Sequence, residues 1–373
     1  MTFRERYVAA LLFGQPDRIP FMPGGPREST LKAWRAQGLP ADANWWECLL
    51  DTLGLPRMAA GPDGLPVTCR MIPEFEERVL EHRDGHYVVQ DWMGAIVEIA
   101  DTYDVTYLRT AKDFVTRKWH KFPVEARADW ERMKERYRVD TPGRFPPDCA
   151  ALGARLRAAG TATTVQVNGP FWQLREWCGF ENLCMLFLDD PGFVREMVAF
   201  WNDFVAGVLR QLLAHVPLTR LGISEDMAFK AHSMISPAMA REFLLPTWAA
   251  WTAQVKAAGC PVIDMDSDGY VEGLVPLWIE AGINVCDPME VAAHNDIAVF
   301  RRRFGKQMGY TGGVDKRAMA AGGQRLVAEL VRVAPVIRDG GYIPGCDHGV
   351  PPDISWPNFV DYSRRLAQLT GWL

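Results

Sequence analysis

Seven short apolar runs punctuate the chain, and each closes on Gly, Pro or an acidic residue. They are "RIPFMPGG" (18–25), "TTVQVNGPF" (163–171), "TRLGISED" (219–226), "CPVIDMDSD" (260–268), "GINVCDPM" (282–289), "QMGYTGGVD" (307–315) and "GGYIPGCDHG" (340–349). Long stretches of helical period lie between them. The clearest is 236–259, where Ser236 is placed as an N-cap, Pro237 occupies the first helical position and Gly259 ends the helix. "VEGLVPLWIEAG" and "GGQRLVAELVRVAPVIRDG" carry the same signature. Alternation of strand and helix predicts an α/β fold with parallel strands joined by right-handed crossovers. In an α/β barrel of this kind every strand ends on one rim, and that rim carries the site.

Residues 40–160 break the alternation. "GHYVVQDWMGAIVEIADTYDVTYLRT" (85–110) alternates as a pair of antiparallel strands, and "EARADWERMKERYRVD" (125–140) reads as a polar, exposed helix. No Gly/Ser-rich or charged linker marks a boundary, so 1–373 is expected to form a single barrel domain with 40–160 as an elaboration on it.

Composition narrows the class. Hydrophobic residues make up 48% and charged residues 23%, the balance of a soluble globular protein. A net charge of −5 argues against nucleic acid as the main partner. No apolar run is long enough to span a membrane, and the charges inside "MTFRERYVAALLFGQPDR" argue against a secretory signal. The eight cysteines are scattered and form no CxxC pair, which fits a reduced, cytoplasmic setting. Fourteen Trp suit both a large core and a roomy pocket.

The strand ends carry the unusual chemistry. In "PVIDMDSDGY" (261–270), Asp264, Asp266 and Asp268 alternate, which places three carboxylates on one strand face. With Glu225 and Asp226 on another strand end they could share a hard cation such as Mg²⁺, Mn²⁺ or Ca²⁺, and Zn²⁺ also accepts such ligands. Against this, Asp before Gly is a common turn former or helix cap. "GCDHG" (345–349) sets Cys346 and His348 around Asp347, as zinc ligands or as a thiolate with a base, or as a buried thiol and a hydrogen-bonded imidazole. "GYTGGVD" (309–315) is a Gly-rich turn in which Gly312, Gly313 and Asp315 could approach a ligand; it lacks the Lys-Ser/Thr ending of a phosphate-binding loop. In "NGPFWQLREW" (168–177), Asn168 closes a strand, and Trp172 and Trp177 read as core or pocket wall. The remaining histidines lie in polar or helical contexts and are assigned no role.

Together these segments resemble the uroporphyrinogen decarboxylase superfamily. "MTFRERYVAALLFGQPDRIPF" looks like its opening helix and first strand, and "MISPAMAREFLLPTW", "LVPLWIEAGINVCDPME", "YTGGVDKR" and "GGYIPGCDHGVPPDISWPNF" follow in order. The resemblance implies a distorted (β/α)8 TIM barrel, a homodimer, and a site at the C-terminal rim. It spans two chemistries. The decarboxylases bind a porphyrinogen's carboxylates through an arginine-rich stretch after the first strand; here that place reads "FMPGGPREST", with Arg27 alone nearby. His348 does match the histidine of their G-H-G motif. The other branch moves methyl groups between corrinoid proteins and a thiol or tetrahydrofolate. Its thiol-using members bind zinc through H-x-C and a later Cys; those places fall on Asp266, Asp268 and Cys346. Exchanging His and Cys for carboxylates makes a harder, more negative site.

The resemblance therefore implies a methyltransferase, with the corrinoid carried on a partner protein because no D-x-H-x-x-G segment is present. Asp266, Asp268 and Cys346 would hold a divalent metal, zinc by family and manganese or magnesium by ligand hardness, or else a polar cofactor such as tetrahydrofolate. His348, Glu225 and Asp226 would be catalytic; Asn168, Gly312, Gly313 and Asp315 would bind the cofactor. The alternatives are a decarboxylase of uroporphyrinogen or a related acid, and a barrel that only binds a tetrapyrrole or corrinoid.

Overall fold

The structure is a computed structural model that describes residues 1–103 and 115–373. Residues 104–110 of the expected antiparallel pair lie outside the described residues. The chain divides into two compact units: Met1–Leu65, Ala150–Val167 and His215–Leu373 form the first, Pro66–Cys149 and Asn168–Ala214 the second. The second unit thus takes up most of the irregular region and adds residues beyond 160.

Eleven strands are described. In chain order they are β1 (Asp63–Gly64), β2 (Arg78–Arg83), β3 (His86–Gln90), β4 (Ile96–Ala100), β5 (Lys118–Lys121), β6 (Thr163–Asn168), β7 (Arg220–Ser224), β8 (Val262–Asp266), β9 (Val285–Asp287), β10 (Gly309–Val314) and β11 (Tyr342–Cys346). The first unit holds a seven-stranded sheet in the order β1-β6-β7-β8-β9-β10-β11, and its ladders are parallel. Sequential order with parallel pairing is what consecutive crossovers produce. Six of the seven apolar runs form these strands. The seventh, 18–25, does not: it meets β11 through the Cys346 N–H to Pro23 O bond at 3.1 Å and an isolated bridge between Pro26 and Val350. Pro20, Pro23 and Pro26 lack the N–H groups that a ladder needs. An eight-stranded closed barrel is therefore not what the described ladders form.

Helix Phe3–Leu11 starts on a capping box between Thr2 and Glu5. Its Tyr7, Ala10 and Leu11 pack against Val262, Val285 and Ile343, from β8, β9 and β11. The single helix expected over 236–259 is two helices, Pro237–Phe243 and Leu245–Ala257. Pro246 has no N–H for the carbonyl four residues back, and the helix breaks there. Ser236 is the N-cap as expected, accepting from Met239 N–H at 3.1 Å.

The second unit carries the antiparallel sheet β2-β3-β4-β5. The expected pair is β3 and β4, in register from His86↔Ala100 to Gln90↔Ile96. The expected exposed helix is Arg127–Lys134, but Trp130 and Met133 are buried. Trp130 packs on Trp177 at 4.8 Å between ring centroids.

Candidate functional site

In a strand, alternate residues share a face. Arg220, Ser224, Asp264, Asp266 and Asp287 hold such alternate positions on neighbouring strands, and the register sets Ser224 beside Asp266 and Asp266 beside Asp287. One hydrogen-bonded chain ties Asp264, Arg220, Ser224 and Asp266 together through Gln166. Arg220 donates to Asp264 Oδ2 through Nε at 2.9 Å and through Nη2, and its Nη1 reaches Gln166 Oε1 at 3.2 Å. Gln166 Nε2 donates to Ser224 Oγ at 2.7 Å, and Ser224 donates to Asp266 Oδ2 at 3.0 Å. Asp287 accepts the Thr311 hydroxyl. Burial, reinforced by the charges of Asp287, Asp264 and Asp226, pushes the Asp266 carboxyl well above the ordinary range. Burial and then the Asp264 charge raise Asp287 to about 6, against the pull of Arg220. A cavity of about 250 Å³ opens here, lined among others by Tyr7, Arg220, Asp264, Asp287, Thr311 and Cys346.

At the strand ends a second group forms around His348. Its Nε2 lies 3.0 Å from Asp268 Oδ2, and its Nδ1 receives the Gly349 N–H at 2.7 Å and faces Arg27 Nη2 at 3.4 Å. A backbone amide can only donate, so Nδ1 accepts and the neutral ring carries its proton on Nε2, directed at Asp268. The bond to Asp268 holds the imidazole pKa above its ordinary value, against burial and the positive charges of Lys316 and Arg27. Asp268 is held in turn by its own N–H, which donates to Asp226 Oδ1 at 3.0 Å. Asp347 binds the Val291 and Lys316 amides at 2.9 and 3.2 Å and is raised by burial to about 6. It braces the loop that presents His348.

The candidates from sequence sort as follows. Asp268 and His348 come together directly, with Asp226 supporting the loop. Asp266 belongs to the inner chain with Ser224. Strand β8 ends at Asp266, so Asp268 leaves the strand face that the alternation had assigned to it. Glu225 is fully buried and accepts the Trp248 indole N–H at 2.7 Å, so it faces the core. Asp315 is the N-cap of helix Lys316–Ala321 and pairs with Arg317 at 2.9 Å, a structural task. Asn168 falls in the second unit, where its Nδ2 donates to Glu176 at 3.1 Å. Gly312 lines the cavity with φ +77°, and a Cβ there would sit 2.1 Å from the Pro288 carbonyl oxygen. Gly313 has φ +69° and is packed against Ile297.

The zinc set is not gathered. Among the described residues no group of three or more His, Cys, Asp or Glu side chains could hold a metal ion. Asp266 is turned to Ser224 and Asp268 to His348. Burial pushes the Cys346 thiol up to about 12. These donors do not fit the thiol-activating metal site implied by the resemblance.

Arg220, Ser224 and Thr311 were missed in the sequence. The signal was present: "TRLGISED" sets Arg220 and Ser224 at the same period of two as Asp264 and Asp266, and polar pairs on neighbouring strands share a face.

A solved methyltransferase from Methanosarcina mazei is 13% identical, aligns over 100% of this chain and 98% of that chain, and has a TM-score of 0.60. At that identity the likeness speaks for the fold. A B12-independent methionine synthase from Shewanella sp. W3-18-1, solved with selenomethionine, is 11% identical over 60% of this chain and 68% of its own, with a TM-score of 0.37, too low to carry an argument. No curated protein sequence matches the chain. The sequence pattern of the uroporphyrinogen decarboxylase (URO-D) family matches residues 114–361, more than half of the chain. With the parallel sheet and the motifs at its strand ends, that match shows that the chain belongs to the uroporphyrinogen decarboxylase family.

Proposed function

We propose that the protein is a methyltransferase of the folate-using kind, exchanging a methyl group between tetrahydrofolate and a corrinoid carried on a partner protein. The observation that carries this reading is the separation of the zinc donors. Asp268 is committed to His348, Asp266 to Ser224, and the Cys346 thiol is buried. A thiol-using enzyme of this family would need those three positions on one ion.

The residues suit an organic ligand instead. A pterin presents adjacent N–H donors, and a carboxylate accepts two such bonds in parallel. Asp268 Oδ2 accepts the His348 Nε2–H, and a ligand donor would be received at Oδ1. Tetrahydrofolate supplies the methyl-carrying nitrogen when bound. His348 keeps its proton on Nε2 and fixes the Asp268 carboxylate in one orientation.

Porphyrinogen decarboxylation is less well supported. Asp264 and Asp287 line the cavity, and Arg220 spends its charge on Asp264. A polycarboxylate would meet repulsion there. The test is a methyl-transfer assay with a methylated corrinoid protein, offering tetrahydrofolate or a thiol as acceptor. Transfer to tetrahydrofolate supports the reading. Transfer to the thiol alone, or loss of carboxylates from uroporphyrinogen, overturns it.

A further inference from the structure

Asp264 lies in the middle of β8, two residues before Asp266 and so about 7 Å deeper along the strand. It is 1% exposed. Both bonds from Arg220, through Nε and Nη2, fall on the same oxygen, Oδ2. The other oxygen, Oδ1, is buried and has no hydrogen-bond partner in the protein. Buried carboxylate oxygens are ordinarily bonded, because an unmet acceptor loses its water without replacement. Asp264 is among the residues that line the 250 Å³ cavity.

The rest of that wall specifies what could meet it. Of its charged residues, Asp264 and Asp287 are acids and Arg220 is a base. Arg220 is already held by Asp264, so the balance left for a ligand is negative. Thr311 donates to Asp287 and fixes that carboxylate in place. Tyr7, Met22 and Ile343 supply apolar walls. Hard metal ions ask for six or more oxygens, or a convergent set of protein donors. Among the described residues no such set forms.

We propose that this cavity binds a compact nitrogen cation, an ammonium, amidinium or guanidinium head, whose N–H is accepted by Asp264 Oδ1. Its volume admits a head group of a few heavy atoms with part of its apolar stem. The positive charge is met by Asp264 and Asp287 together, and Arg220 holds the Asp264 carboxylate in the accepting orientation. The site does not depend on the folate reading: it lies deeper on the sheet than Asp268 and uses none of the same oxygens.

The test is calorimetric titration of the full chain at fixed pH 7.5 with acetamidinium, and with acetamide as its neutral counterpart of nearly equal shape. Acetamidinium is expected to bind at least about tenfold more tightly than acetamide, the margin of one charge-assisted hydrogen bond. Asp264→Asn is expected to remove that margin, and potassium is expected not to compete. Should Asp264→Asn fail to fold, Ile343→Phe fills the cavity without altering a charge and must abolish acetamidinium binding. Equal binding of amide and amidinium, displacement by potassium, or binding untouched by either variant overturns the proposal and leaves the cavity to ordered water.

Discussion

His348 Nε2 lies 3.0 Å from Asp268 Oδ2, while the Nδ1 of the same ring accepts the Gly349 amide. This pairing turns a position expected to bind a metal into the acceptor of an imidazole proton. It also sets a pH signature. The folded-state pKa of His348 is raised above 6.5 by Asp268. The resulting stabilisation is complete below the ordinary value of 6.5 and fades as pH rises through the raised one. Asp268→Asn should lower the His348 pKa, read by NMR titration. The stability gap between wild type and variant should be larger at pH 5.5–6 than at pH 8. Both side chains are partly exposed, so the gap should not exceed about 1 kcal/mol.

Asp287 behaves in the opposite sense. Burial lifts its carboxyl to about 6, so the folded protein holds a proton there that the unfolded chain has already lost. Stability attributable to this group therefore falls as pH rises from about 4 to above 6. Asp287→Asn keeps an acceptor for Thr311 and removes the titration. Relative to wild type it should gain stability across that window, by at most about 3 kcal/mol, in urea unfolding at pH 4 and pH 7.

The Arg220–Asp264 pair is buried, and its partners are unequal in their alternatives. Arg220→Met strands the Asp264 carboxylate and should cost about 3–5 kcal/mol. Replacing both, Arg220→Met with Asp264→Leu, should recover most of that loss. Chemical denaturation of the two single variants and the double variant gives the coupling directly.

Gly312 adopts φ +77°, and an added Cβ would approach the Pro288 carbonyl oxygen to 2.1 Å. Gly312→Ala combines left-handed strain with a clash against backbone that has little room to yield. A loss of about 2–4 kcal/mol is expected, visible as a fall in Tm.

Glu225 offers a control. It accepts the Trp248 indole N–H in the core. Trp248→Phe should destabilise by about 1–3 kcal/mol by removing that donor, with folate binding unchanged. A loss of binding without loss of stability would restore Glu225 to the site.

Much of the sheet could be read in the sequence because its strands are short apolar runs closed by Gly, Pro or acid. The alternation carried six of the sheet's seven strands; β1, Asp63–Gly64, is only two residues long and has no apolar run, and the run 18–25, broken by prolines, forms no strand. The site was less legible. Spacing of two placed Asp264, Asp266 and Asp268 on one face, but a strand's periodicity lasts only while the strand does, and β8 stops at Asp266. Asp268 is then free to turn toward His348, eighty residues on, a contact that no local pattern encodes. Glu225 and Asp315 show the other limit. A carboxylate at a strand end has the same appearance whether it meets a ligand, an indole in the core or the first amides of a helix.

The central claim is that the rim built on Asp268 and His348 serves tetrahydrofolate without a zinc ion. Calorimetric titration of the metal-stripped protein with methyltetrahydrofolate tests it most directly. The account predicts binding that survives chelation and weakens by about tenfold or more in Asp268→Asn. Stoichiometric zinc in the purified protein, with no folate binding once the zinc is removed, would contradict it.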